Sequence, residues 1–265
     1  MVEIFNNIRK VHQFIKPCDE LADHIEFFSE STPPQTLDAG FKSVKMFPSW
    51  TPTFWINLGT SYHLSLGDKR YVIKNTDDIL VLRDTCVEKF KQPTDHIFTV
   101  KFLPGGLEAV LGISQVKLIG QVINLNTVLP PLFLHELKQP IRCEQRTALM
   151  QDFLLSRYRN KTKDHYLQFV NDCIENYDTE GMQLNTSEIA EKMFVTSKTI
   201  NRYFNKVVGT SPKNFFTIMR ARTALTAYVA QKDLFTPYDF GYYDMSHFYK
   251  DVVKFTGQKL TENVI

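Results

Sequence analysis

The spacing of apolar residues changes along this chain, and this change restricts the fold more than any other feature. From about residue 40 to 125, short segments rich in β-branched and aromatic residues alternate with proline, glycine and asparagine, which is typical of strands joined by turns. After Pro130 and Pro131, apolar residues recur every three or four positions, which indicates helices. The sequence therefore predicts an α+β protein of two domains, with an antiparallel sandwich or barrel first and an all-α domain second.

Six strands are predicted in the first half, at residues 41–47, 53–58, 62–66, 70–74, 79–84 and 96–102. Between them lie residues that favour turns, namely Pro48, Pro52, Gly59, Asn75 and Pro93. The Gly67-Asp68 pair separates two alternating segments and predicts a hairpin.

We expect a β-rich sensor or dimerisation domain at 1–138, a helical connector at 139–161 and a helical domain at 162–265. Segment 142–159 predicts a helix whose apolar residues are Ala148, Leu149, Phe153, Leu154 and Tyr158. Segment 164–177 predicts the next helix, with Leu167, Val170, Ile174 and Tyr177. The apolar stripe of 142–159 either forms a homodimer interface or covers the β domain, and the pattern supports both alternatives equally.

Composition excludes several classes of protein but does not identify one. The formal net charge is +2, which is too small to indicate a nucleic-acid-binding protein by itself. The four cysteines are far apart and form no C-x-x-C pair, so we predict reduced thiols rather than a zinc or redox site. The N-terminus lacks an apolar signal segment and no apolar run could span a membrane, so a soluble, cytoplasmic protein is expected.

Residues 184–208 predict a helix-turn-helix. Asn185 is a good N-cap, and Glu188 three residues later completes a capping box for a short helix with Ile189, Ala190 and Met193 inside. A turn at 194–196 follows, and the next helix begins near Thr196. Its predicted inner face consists of Ile200, Phe204 and Val207.

The outer face of this second helix carries polar side chains that reach base edges or phosphates in a major groove, namely Lys198, Thr199, Asn201, Arg202 and Asn205. Any solvated helix presents such a face, so this pattern alone predicts only that the face is exposed to solvent and does not by itself indicate DNA binding. The charge distribution adds support, because residues 184–230 contain seven cations and two acids, a local net charge of +5. Residues 231–265 have a net charge of −1.

At this point the chain resembles the AraC/XylS family of transcription regulators. The similar residues in the first half of the helical domain are Ile189, Ala190, Thr196, Ile200, Arg202, Phe204, GTSP (209–212), Phe215, Arg220 and Ala224. The segment GYYDMSHFYKDVVKFTG (241–257) resembles the second half still more closely. These motifs cover about 80 residues. The resemblance implies a DNA-binding domain with two helix-turn-helix units and double-stranded DNA as its partner.

The resemblance also implies roles for individual residues. Lys198, Asn201 and Arg202 point to the major groove in the first unit, and Met245, Ser246, Tyr249 and Lys250 do so in the second. Gly241 is expected to take a positive φ in the second turn, and Asp244 to cap the second recognition helix. Phe248 is expected on its inner face beside Val252, and His247 is expected to pack or hydrogen-bond rather than contact a base.

Three departures from the family pattern affect these expectations. Thr236 and Pro237 stand where the family has an Ile-Ala pair, so the helix there is predicted to be short and to begin near Pro237, with Thr236 as its cap. Leu260 replaces the usual proline after the closing glycine, and Phe194 stands where glycine is common. Together with its negative charge, these changes indicate that the second unit reads fewer bases and clamps the DNA backbone or braces the first unit.

The first half of the chain resembles the cupin-like sensor domain of such regulators, through FTVKFLPGG (98–106), LEAVLGI (107–113) and VINL (122–125). The cluster Trp50, Phe54 and Trp55 either lines an apolar effector pocket or belongs to the core, which we favour. The histidines are isolated and no catalytic motif is present, so we predict no enzyme, no catalytic residue, no metal and no cofactor.

The sequence therefore predicts a DNA-binding transcription regulator, modulated by a small-molecule effector or by dimerisation. The alternative is a ligand-sensing or protein-interaction regulator whose second helix-turn-helix is degenerate and binds DNA weakly.

Overall fold

The computed structural model describes residue 4 and residues 12–31, 43–90, 94–158 and 164–260. Within these residues, ten strands form two antiparallel sheets in the N-terminal half: β1 His12–Ile15, β2 Ile25–Ser31, β3 Ser43–Met46, β4 Pro52–Asn57, β5 Tyr62–Leu66, β6 Lys69–Ile73, β7 Ile79–Leu82, β8 Val87–Phe90, β9 Ile97–Phe102 and β10 Val122–Asn124. The larger sheet has the order β1-β2-β9-β4-β7-β10, and the smaller has the order β3-β8-β5-β6.

The six predicted strands correspond to β3, β4, β5, β6, β7 and β9, whereas β1, β2, β8 and β10 were not among them. Residues 41–42 of the first predicted strand, and Pro93, lie outside the described residues. The Gly67-Asp68 hairpin is confirmed, because Leu66 pairs with Lys69 across it and Gly67 has a φ of 55°. This left-handed conformation suits glycine, which has no Cβ to clash.

The central strands of the larger sheet, β4, β7 and β9, are buried on both faces. All six residues of β4 are buried, and alternate side chains enter different cores. Trp55 packs with Tyr62 and Leu64 between the two sheets, while Phe54 and Ile56 point to the helices on the other side. A strand that is covered on both faces is continuously apolar rather than alternating. The molecule therefore has three layers, with the larger sheet in the middle.

The described helices, apart from single 3-10 turns, are α1 Gly106–Leu111, α2 Pro131–Leu137, α3 Cys143–Tyr158, α4 His165–Thr179, α5 Thr186–Lys192, α6 Ser197–Val207, α7 Pro212–Ala230 and α8 Met245–Thr256. The first three pack on the larger sheet or on each other, and α4 to α8 form the helical domain. None of the helices that the structure describes is both long and apolar enough to cross a membrane.

The apolar stripe predicted for α3 is partly wrong. Leu154 is buried as predicted, but Ala148 is exposed and Leu149, Phe153 and Tyr158 are half-buried. The other buried side chains of this helix are Cys143, Arg146, Thr147 and Met150. The polar Arg146 is tolerated inside because the chain satisfies its guanidinium group. This face contacts α1, β1 and β2, so it covers the β domain of its own chain.

Arg146 joins three parts of the N-terminal half. Its Nε donates to the carbonyl of Leu137 at 2.6 Å and its Nη2 donates to the carbonyl of Gln139 at 3.0 Å. Its Nη1 forms an ion pair with Glu30 on β2, whose other oxygen lies 2.7 Å from His96 Nε2. Burial alone would raise the pKa of Glu30, but the hydrogen bond from His96 and the charge of Arg146 outweigh burial and hold this pKa below its ordinary value.

We expect Arg146→Leu to lower the free energy of unfolding by about 3–5 kcal/mol, because the substitution leaves Glu30 with a buried, poorly compensated charge. Urea unfolding at neutral pH measures this loss, and the exposed Arg142→Leu serves as the control. A pKa lowered by folding stabilises the protein above the unfolded-state pKa, and this contribution disappears as pH falls through the folded-state value. The loss should therefore shrink in acid, and a loss that is the same at pH 7 and pH 3 would contradict this explanation.

Candidate nucleic-acid interface

Helices α5 and α6 form a helix-turn-helix, and the start of α5 is fixed as the sequence predicted. The Oδ1 of Asn185 accepts hydrogen bonds from the amides of Ser187 at 2.8 Å and Glu188 at 3.2 Å. In return, the amide of Asn185 donates to Glu188 Oε2 at 2.6 Å. This capping box satisfies amides that the first turn of a helix leaves free. Ile189 and Ala190 are buried behind it.

The turn between α5 and α6 contains a strained residue. Phe194 has a φ of 54°, and its side chain is 96% exposed. The left-handed region disfavours side chains with a Cβ, which explains why glycine suits this position. The turn is held by two backbone bonds, from the amide of Phe194 to Glu191 O at 3.1 Å and from the amide of Val195 to Ala190 O at 3.0 Å.

Helix α6 begins after Thr196, whose side chain accepts a hydrogen bond from the amide of Thr199 at 3.2 Å. Its inner face is buried through Ile200, Phe204 and Val207. The five sequence-predicted polar residues lie along the other side of this single helix. Lys198, Arg202 and Asn205 are exposed, and Thr199 and Asn201 are half-buried.

Two of these side chains also bond to their own helix. Asn201 Nδ2 donates to the carbonyl of Ser197 at 3.0 Å, and Asn205 Nδ2 donates to the carbonyl of Asn201 at 2.7 Å. The guanidinium of Arg202 lies 5.1 Å from the centre of the Tyr203 ring. Both amides keep their carbonyl oxygens and one N–H for another partner, so the face can still both donate and accept.

The positive charge of residues 184–230 is not all available at the surface. Arg220 Nη2 lies 3.5 Å from Asp251 and Arg222 Nη2 lies 3.9 Å from Glu26, while Lys192 is paired with Glu180. Among the residues that the structure describes, no salt bridge joins the other four cations to a carboxylate: Lys198, Arg202, Lys206 and Lys213. The first three of these are on α6, so the free positive charge is concentrated on that helix.

The second unit is shorter, as the proline indicated. A 3-10 helix, Pro237–Phe240, replaces a full α-helix before the turn, so the predicted start at Pro237 is confirmed. The predicted cap is wrong, because the side chain of Thr236 makes no cap hydrogen bond. Gly241 has a φ of 69°, and Asp244 caps α8 by accepting a hydrogen bond from the amide of His247 at 2.7 Å. Both features agree with the expectation for this segment.

Helix α8 brings the second set of predicted contact residues together. Met245 is 43% exposed, Ser246 and Lys250 are exposed, and Tyr249 is half-buried. Phe248 and Val252 are buried on the inner face, as expected. The ring of His247 packs edge-on against Tyr242 at 5.1 Å between ring centres, although its side chain remains exposed.

Arg220 on α7 links the two units. Its Nη1 donates to the carbonyl of Gly241 at 3.3 Å, and its guanidinium lies 4.4 Å from the centre of the Tyr242 ring. The hydroxyl of Tyr242 donates to Asp251 Oδ2 at 3.1 Å, and this carboxylate also faces Arg220. The short 3-10 segment is therefore held in place by a side chain of the first unit.

The structure separates the three aromatic residues that the sequence suggested for an effector pocket. All are buried, but Trp50 and Phe54 belong to the core beneath the helices, while Trp55 belongs to the core between the sheets. An open cleft of about 360 Å³ lies elsewhere, between the end of α1, the start of α2 and the end of α3, with Leu129, Phe153 and Arg157 in its wall.

The described residues contain no group of three or more histidines, cysteines, aspartates or glutamates that could hold a metal ion. All four cysteines lie within the described residues, and none of them forms a disulfide. Burial raises the pKa of Cys143 to about 11 and that of Cys173 to about 12, which makes both thiols poor nucleophiles at neutral pH.

No protein-family model matches the sequence, and a search of curated proteins found no match. Among solved structures, ToxT from Vibrio cholerae is similar over 82% of this chain and 90% of its own, with 10% identity and a TM-score of 0.48. A ToxT structure with a bound unsaturated fatty acid has 13% identity and a TM-score of 0.45, over 82% and 87% of the two chains. The AraC-like transcriptional activator CuxR covers 83% and 88%, with 11% identity and a TM-score of 0.31.

We expect Phe194→Gly to raise the free energy of unfolding by about 1 kcal/mol, because glycine removes backbone strain and the exposed ring loses little packing. Thermal and urea unfolding measure the change. Tyr243→Gly is the matched control, since Tyr243 is 87% exposed in the second turn and does not have a positive φ. The control should be neutral or destabilised, and equal effects at the two positions would show that strain at Phe194 is not the cause.

Proposed function

We propose that this chain is a sequence-specific, DNA-binding transcription regulator whose first helix-turn-helix provides most of the base reading. One observation carries the proposal, namely the two different faces of α6. Ile200 and Phe204 bury its inner face in the core. Lys198, Asn201 and Arg202 lie on its opposite side, toward solvent. A helix of this kind enters the major groove and contacts base edges with residues near its N-terminal end. We assign Thr199 and Asn205 to the same contact surface.

The charge on α6 suits a phosphate backbone. Its unpaired cations attract duplex DNA from solution, and Arg202 has the planar donor geometry that recognises guanine. Lys206 lies further along the helix, with its Nζ 3.3 Å from the centre of the Tyr166 ring. This aromatic contact positions the ammonium group without neutralising it, so we assign Lys206 to a phosphate contact.

The second unit takes a smaller part in this proposal. Met245, Ser246, Tyr249 and Lys250 line the exposed side of α8, but the surrounding segment is acidic. We assign them to contacts with the DNA backbone and to a limited number of base contacts. The domains proposed for these roles are 1–138, 139–161 and 162–265, with a small-molecule effector or a second copy of the chain acting through the first.

A protein-interaction regulator is the second candidate. It is favoured by large exposed side chains around the shortened second unit, where Leu234 is 77% exposed and Tyr238 and Tyr243 are also exposed. Together with the local acids, these residues resemble a protein contact more than a DNA contact. The unpaired cations of α6 oppose this alternative, because a protein that binds only other proteins does not require them.

We expect Arg202→Ala to weaken binding to the selected DNA site by about 1–3 kcal/mol and to relax the base preference at one position. Gel-shift titration of the full chain on its selected genomic fragment measures the change. Arg70→Ala on β6 is a matched control, because it removes an exposed cation that is on the smaller sheet and not on α6 or α8. Equal binding by Arg202→Ala and the parent would reject the assignment.

Lys206→Ala should behave differently from Arg202→Ala, since a phosphate contact carries no base information. We expect it to weaken binding to every sequence alike and to reduce the slope of log affinity against log salt by about 1. Titrations on specific and scrambled duplexes at several salt concentrations measure both quantities. A parent chain whose micromolar or weaker binding does not change with salt would instead favour the protein-interaction candidate.

A further inference from the structure

One short loop of the N-terminal domain contacts the C-terminal ends of α6 and α8, the two helices that we assign to DNA recognition. It consists of Phe47–Trp50, between β3 and β4. The Phe47 ring is 5.6 Å from the ring of Phe255 in the last turn of α8, measured between centres. At the other end of the loop, the Trp50 ring would lie 3.5 Å from a Cβ placed on Gly209, two residues beyond α6.

The Trp50 end of the loop is tied to α6 by Gln115, whose side chain is fully buried. Gln115 Nε2 donates to the carbonyl of Trp50 at 3.2 Å and to the carbonyl of Val208, the C-cap of α6, at 2.8 Å. Its Oε1 accepts from the amide of Gly105 at 2.6 Å. Buried polar groups that lose a partner cost about 1–3 kcal/mol each, so these three bonds fix the end of α6 against the sheet domain.

The loop itself is held by hydrogen bonds to Arg83 and contains a strained residue. Arg83 Nη2 donates to the carbonyl of Phe47 at 2.6 Å, and the carbonyl of Arg83 accepts from the amides of Ser49 at 2.9 Å and Trp50 at 3.0 Å. Trp50 has a φ of 54°, which is unfavourable for a bulky side chain. Such strain persists only where the surroundings determine the conformation, and it is often associated with function.

A third contact joins the same two domains through α7. Arg222 Nη2 lies 3.9 Å from Glu26 Oε1 on β2, and Glu26 Oε2 lies 2.7 Å from the buried Lys101. Both recognition helices are thus held at their C-terminal ends, and the helix that connects them is held in its middle. Their N-terminal turns, with Lys198 and Ser246, remain exposed.

We propose that the loop Phe47–Trp50, positioned by Arg83 and Gln115, is a spacer that determines specificity by fixing the separation and angle between α6 and α8. This inference rests on the proposed DNA-binding function. Two helices held rigidly in successive major grooves match half-sites about one helical turn apart. Each added base pair rotates one half-site by about 34° around the duplex axis. Two helices held at a fixed separation and angle therefore bind weakly to DNA in which the distance between the half-sites is changed.

The test uses the full-length chain and the duplex that it selects most strongly from a random-sequence duplex library. Hydroxyl-radical footprinting locates the two protected windows, and one or two base pairs are then inserted or deleted between them. We expect the parent to lose about tenfold or more in affinity for each step, comparable to a mismatched base pair. We expect each of the variants Gln115→Met and Phe47→Leu to bind the duplexes of different spacing with affinities within about threefold of one another. The reason is that α6 and α8, once released from the loop, can adjust to each spacing.

Two controls match these variants in chemistry. Gln121→Met changes an exposed glutamine of the same segment, and Phe28→Leu changes a buried phenylalanine of β2 that stacks on Phe98. Both should keep the steep spacing dependence of the parent. Near-ultraviolet circular dichroism confirms that each variant is folded, and if Phe47→Leu is not, Gln115→Met decides the result.

The outcomes separate this inference from the function on which it rests. A parent that selects no duplex rejects the proposed function. A parent that selects a duplex but tolerates every spacing rejects the spacer, and so do variants whose spacing dependence remains as steep as that of the parent. Spacing dependence lost in both variants and kept in both controls supports the spacer.

Discussion

The structure depends on a middle sheet that is packed on both faces. Strands β4, β7 and β9 contribute side chains to the core between the sheets and also to the core beneath the helices. The second of these cores continues without interruption into the helical domain, through residues such as Phe204 and Phe248. Because protein interiors are close-packed, the position of the sheet determines the position of the helices that rest on it. The orientation of α6 and α8 is therefore a property of the whole chain.

Local chemistry explains why much of the fold could be predicted from sequence. The capping box of Asn185 and Glu188, the inner face of α6 and the Gly67-Asp68 hairpin all depend on residues close together in the chain. The shortened second unit was predicted for the same reason, because Pro237 acts on its own neighbours. The burial of Arg146 was missed, since its partner Glu30 is 116 positions away and nothing in the local pattern indicates it.

In the candidate site, too, features set by nearby residues could be predicted, whereas those set by residues far apart in the sequence could not. The polar side chains of α6 follow from helical spacing, and the structure brings them together on one side. Their support could not be predicted, because Gln115 is 93 positions from Val208 and nothing in the local sequence distinguishes Gln115 from the exposed Gln121. Trp50 was noted only as an aromatic residue. Its importance comes from a backbone conformation that composition does not encode.

Because the middle sheet is buried, we expect insertions to be tolerated in some parts of this chain and not in others. A bulky insertion in β4 or β9 would disturb two cores at once, whereas β6 lies at the edge of the smaller sheet, with Arg70 and Val72 in solvent. The tip at Gly67-Asp68 is exposed and lies beyond both cores. A fluorophore or an affinity tag placed there would extend into solvent without entering either core.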